Sequence, residues 1–176
     1  MTITPDTKNW TWVLERPCPD CGFDAPAFDH DEMPVALRAN AIVWQAVLQR
    51  ADVQDRPAPE VWSALEYACH VRDVFRIFDV RLGLMLSEDD PTFPNWDQDA
   101  TAVEESYREQ DPDRVAAEIA VAAEQLATRF EEVAGDQWTR PGTRSNGSRF
   151  TVDSMARYAL HDLVHHVSDV GADHGV

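Results

Sequence analysis

The chain has 176 residues, enough for about one domain with a core of its own and no need of covalent staples. Its 32 acidic residues against 15 basic ones leave a net charge of -17, which argues against nucleic acid or an anionic membrane surface as a partner. No apolar run reaches the roughly 18 residues of a membrane span, and Met1 to Lys8 lack the apolar stretch of a signal peptide, so the expected location is cytoplasmic.

Residues 1–33 carry Pro5, Pro17, Pro19, Gly22 and Pro26 and no sustained period. They read as an irregular N-terminal arm, whose aromatics Trp10, Trp12, Phe23 and Phe28 suit packing against the remainder, residues 34–176. Pro34 fits the first turn of a helix, where its missing N–H costs nothing. From there Leu37, Ala41, Trp44 and Leu48 recur at helical spacing, predicting a first helix to about residue 51. After the polar connection 52–59, a second helix is predicted over about 60–87. It is apolar nearly all round (Val61, Leu65, Val71, Phe75, Phe78, Leu82) and therefore largely buried.

Residues 88–113 hold ten acids and one base with three prolines, and form a long loop with room for short helical turns. Asp111-Pro112 is an N-cap followed by proline at the first helical position. The third helix then carries Val115, Ile119, Ala122 and Leu126 on one stripe to about residue 134, with Gly135 as its stop. Residues 136–150 make a second long loop, in which Asn146-Gly147 favours a tight turn or short hairpin. Thr151 caps the fourth helix, which runs to about Val170 before Gly171. Four helices and no convincing strand predict an all-α four-helix bundle with long loops between helices 2 and 3 and between 3 and 4.

The closing helix contains His161-Asp162-Leu163-Val164-His165-His166-Val167-Ser168-Asp169. Ligand-type residues four apart share a helical face and can grip one ion, and two such pairs compete here, His161/His165 and Asp162/His166. At about 100° per residue, His166 and Asp162 fall roughly 70° and 110° from the centre of the apolar stripe, whereas His161 and His165 lie more than about 140° away, towards solvent. A site inside the bundle therefore favours Asp162 with His166, and Asp169 can accept from the His166 ring. A third ligand must come from another helix, and His70 is the only histidine in the first three. The ordinary alternatives are a core histidine at position 70 and a polar face on the last helix. An Asp–His₂ set with open positions suits zinc first, with nickel, manganese or iron also compatible.

At these residues the chain resembles the DinB-like superfamily, which includes mycothiol-dependent maleylpyruvate isomerases and thiol S-transferases. The likeness spans about residues 34–170 and rests on Trp62 with His70, on Trp96-Asp97, and on the closing helix. The resemblance implies a metal held by one histidine of the second helix and a His/Glu-x-x-x-His pair of the last, closed three residues later by Gln or Asp. That register places His70, Asp162 and His166 on the metal. Asp162 departs from the usual His or Glu and keeps His161/His165 as the runner-up register. The implied activity is a metal-dependent thiol S-transferase or isomerase, with a small thiol and an electrophilic substrate as partners and a homodimer also open. The rival readings are a non-catalytic binding bundle and a hydrolase that activates water.

Three cysteines do not form a disulfide framework. Cys18-Pro19-Asp20-Cys21 is a lone C-x-x-C: two ordinary thiols in a turn, a second metal site with His30, or a redox pair. Arg140, Arg144 and Arg149, with Arg157 beyond them, could hold an anionic substrate or pair with the excess acids. Trp62, Trp96 and Tyr158 could line a pocket or simply fill the core.

Overall fold

In the computed structural model, which describes residues 3–4 and 9–173, five α-helices and a small sheet are present. The rest of the N-terminal arm's opening and residues 174–176 lie outside the described residues. Helix α1 spans Met33–Leu48, α2 Ala64–Ser87, α4 Pro112–Glu131 and α5 Val152–Asp169, and these four form the bundle. The seven-residue α3, Gln98–Glu104, sits within the long acidic loop.

Local chemistry sets most helix ends. Ser63 accepts from the Glu66 N–H while the Glu66 carboxylate takes the Ser63 N–H, so α2 begins at Ala64 and not near residue 60. That carboxylate also receives the Arg56 guanidinium, so one buried acid joins the preceding loop to the helix start. Asp111 caps α4 ahead of Pro112, and Thr151 caps α5. At the far end of α5, Gly171 takes φ +62, its N–H donates to Ser168 O, and the Ala172 N–H donates to Val167 O. This is the paired closure that a left-handed residue allows.

Around the bundle, α1 packs on α4 and α5, and α2 packs on the same two, leaving α1 and α2 across from each other. The sequence-neighbouring pairs α1/α2 and α4/α5 are thus each diagonal in space, while α2 and α4 pack directly. The core lies among Leu37, Trp44, Leu65, Phe75, Leu82, Ile119, Leu126 and Leu163, all buried. No helix among the described residues is long and apolar enough to cross a membrane.

The strands are where the structure departs from the sequence reading. Pro141–Arg144 (β2) and Arg149–Thr151 (β3) pair antiparallel around Asn146-Gly147, and Thr92–Phe93 (β1) pairs parallel to β2. Segments of two to four residues are too short to show alternation, so only their pairing identifies them. The sheet joins the two long loops over the end of α2. There the backbone of Gly142 comes so close to Met85 that an added Cβ would lie 2.8 Å from its sulfur.

The N-terminal arm is tied to α5. Arg157 donates to the carbonyls of Ala25 and Pro26, and His30 bonds Asp153 at 2.8 Å.

Candidate metal centre

His70 sits in the second turn of α2, facing the C-terminal half of the antiparallel α5. There Asp162 and His166, one turn apart, point at it. Asp162 Oδ1 stands 3.2 Å from His70 Nε2 and 3.1 Å from His166 Nε2. Three donors bound to one ion through bonds of about 2.0–2.2 Å lie roughly 3.0–3.5 Å apart, so these separations suit a shared metal. No fourth His, Cys, Asp or Glu joins the group among the described residues.

The surroundings orient each of the three side chains. His166 Nδ1 lies 2.8 Å from Asp169 Oδ2, an arrangement that leaves Nε2 as the ligating atom. His70 is fully buried, stacked on Trp96 at 5.0 Å and 8°, with Trp62 tilted against it at 5.5 Å. Asp97 caps α3 and Trp96 donates to Thr101, so the Trp-Asp pair of the loop fixes the ring that covers the ligand.

Charge follows from this packing. Burial pushes the Asp162 carboxyl up, but hydrogen bonds from His166 and His70 hold it well below the carboxylate range. Burial presses the His166 imidazolium down, yet Asp162 and Asp169 on its two nitrogens hold its pKa up at about 9. The pKa of His70, more deeply enclosed, is lowered by its burial, against the hydrogen bond to Asp162.

Asp162 and His166 line a cavity of about 820 Å³, with His70 buried behind them, and its wall also includes Trp10, Trp62, Trp96, Arg144 and Tyr158. Of the arginines weighed in the sequence, only Arg144 reaches it. Its hydrogen bonds go to neutral partners, Asn146 and Ser148, and its guanidinium lies 5.7 Å from the Tyr158 ring. Arg140 instead donates to the carbonyls of Met85 and Glu88 at the end of α2, Arg149 pairs with Asp90, and Arg157 holds the arm.

His161 and His165 do not face solvent, contrary to the helical wheel. The wheel treats the bundle as bare, but the N-terminal arm covers that side of α5: His161 is 3% exposed, and Trp10 packs on both rings at 5.5 and 4.9 Å. Their donor atoms gather with those of Cys18 and Cys21, and both residues also reach the wall of the cavity. His30 is not near the cysteines; it stacks on Trp138 at 4.0 Å.

A helical bundle with two imidazoles and a carboxylate converging beneath an open cavity defines a class of candidate metalloproteins. The sequence profile of the DinB superfamily matches residues 36–170. The chain belongs to that superfamily. Its fold is similar to YfiT from Bacillus subtilis, described as a probable metal-dependent hydrolase with an unusual four-helix bundle topology, at a TM-score of 0.71 and 15% identity, covering 82% of this chain and 89% of that one. No curated protein matches the chain.

Proposed function

We propose that the protein is a metal-dependent enzyme in which His70, Asp162 and His166 hold a divalent ion, zinc first among the candidates, and a small thiol of the mycothiol type is the nucleophile. The observation that carries this is a three-donor set, two of its members lining a cavity, with no fourth His, Cys, Asp or Glu beside it among the described residues. A non-catalytic structural ion would instead favour four protein ligands. A divalent ion at this place supplies positive charge that lowers the pKa of a coordinated thiol, making a nucleophile at neutral pH. The chain's own residues do the positioning. Asp169 fixes the His166 ring, Trp62 and Trp96 clamp His70, and Arg144 with Tyr158 offers a fork for an anionic group on the electrophile. The cavity has room for a thiol cosubstrate beside an electrophile.

The second reading, a hydrolase that activates water at the same ion, is favoured by the likeness to YfiT. Incubating the metal-loaded protein with an activated electrophile, with and without added thiol, separates the two. Turnover that requires thiol is the expected result, and equal turnover without thiol would give the hydrolase. His166→Ala should remove one equivalent of metal and all turnover, whereas Asp169→Asn should weaken metal binding by about 10–100-fold.

A further inference from the structure

A second group of donors lies where the arm crosses α5. The Cys18-Pro19-Asp20-Cys21 turn closes tightly: the Gly22 N–H, at φ +77, donates to Cys18 O at 2.8 Å, and the Cys18 N–H donates to Phe23 O at 2.9 Å. A left-handed residue after the second cysteine lets the chain fold back so that both sulfurs share one side. From α5, His161 and His165 present their rings one turn apart. One donor atom from each of the four lies within 4.8 Å of all the others. Cys18 Sγ is 3.7 Å from His165 Nδ1, close to the edge of roughly 3.6 Å expected for a tetrahedron with zinc–sulfur bonds of about 2.3 Å and zinc–nitrogen bonds of about 2.0–2.1 Å.

Two further observations point to a ligand. His161 Nε2 is buried with no hydrogen-bond partner among the described residues, a position that an imidazole nitrogen rarely holds without cause. Behind His165, Asp169 Oδ1 stands 3.8 Å from Nε2, while Oδ2 of the same carboxylate faces His166. One acid thus backs an imidazole of each cluster.

We propose that Cys18, Cys21, His161 and His165 form a Cys₂His₂ zinc site, separate from the His70 centre, that fastens the N-terminal arm to α5. The pattern C-x-x-C with H-x-x-x-H is a standard tetrahedral zinc spacing, here with the two halves supplied by opposite ends of the chain. Four protein ligands leave no open position, so the ion is structural. A redox role fits less well, since Cys18 is 1% exposed and faces an imidazole instead of solvent. The consequence reaches the cavity: Asn9 and Trp10, just before the cysteine turn, form part of its wall, so the zinc would hold that wall in place.

The test is full-length protein produced in zinc- and cobalt-supplemented medium. Elemental analysis should find two metal equivalents per chain, and the cobalt form should show an intense thiolate-to-cobalt charge-transfer band. Cys18→Ser/Cys21→Ser should abolish the band and one equivalent. Asp162→Ala/His166→Ala should keep the band while losing the other equivalent, so failure at the His70 centre is read separately. Should the cysteine variant fail to fold, alkylation of the wild-type chain decides: Cys18 and Cys21 should react only after chelation. A cobalt form without the band, alkylation of both thiols at equal rates with and without chelator, or a Cys18–Cys21 disulfide in freshly purified protein would overturn the assignment.

Discussion

His166 carries a carboxylate on each ring nitrogen, Asp162 on Nε2 and Asp169 on Nδ1. Without metal the ring is therefore an imidazolium until pH approaches about 9. A ligand must give up the Nε2 proton, so metal affinity at the His70 centre should rise about tenfold per pH unit between 7 and 9 and level off above. Calorimetric titration at pH 7 in two buffers of different ionisation enthalpy should show about one proton released at this centre; none released would refute the paired-carboxylate account. A second residue-scale case is Tyr107, whose buried hydroxyl donates to Asp73 Oδ2 at 2.6 Å while Arg72 forks onto both Asp73 oxygens. Tyr107→Phe should cost about 1–3 kcal/mol, read as a lower urea midpoint at unchanged slope. At this scale the convergence of Asp162 and His166 with His70 was legible, because both border the apolar stripe of the last helix. The surroundings of His161 and His165 were not, because what covers them comes from far earlier in the chain, Cys18 being 147 residues before His165.

At the scale of elements, α5 contributes to both candidate donor clusters because two i,i+4 pairs are staggered by one residue. Asp162/His166 turns towards α2, and His161/His165, about 100° round, turns towards the arm. The sheet has a different task. It bridges the loops on either side of α4 and brings Arg144 beside Tyr158, at the cavity. Its closest approach to the bundle is Gly142, where a Cβ would meet Met85 Cγ and Sδ at 2.8 Å and Phe93 at 3.0 Å. Met85 is fully buried and cannot swing clear. Gly142→Ala should therefore destabilise the protein by about 1–3 kcal/mol in chemical denaturation; an unchanged midpoint would show the contact to be soft. The helices were legible because their apolar residues repeat at 3.6. Of the sheet only the hairpin turn at Asn146-Gly147 was legible, because strands of two to four residues carry no period and exist only through their partners.

For the whole molecule, a net charge of -17 on one chain means that like charges repel across distances longer than any single ion pair. Raising NaCl from about 10 to 150 mM shortens the screening length from about 30 to 8 Å. The thermal midpoint should rise over that range, even though exposed pairs such as Arg38 with Glu124 and Glu131 weaken. A fall would mean that local pairing outweighs the global repulsion. The amino-acid sequence by itself determined the four long helices, the caps at Asp111 and Thr151, and the i,i+4 donor pairs of α5, since these rest on spacing within one segment. Only the tertiary structure decided that α1 and α2 lie across from each other, that Arg144 alone of the arginines meets the cavity, and that a cysteine turn near the start closes on two histidines near the end. Those outcomes depend on which surfaces meet, and contact between distant segments is set by the packing of the whole core.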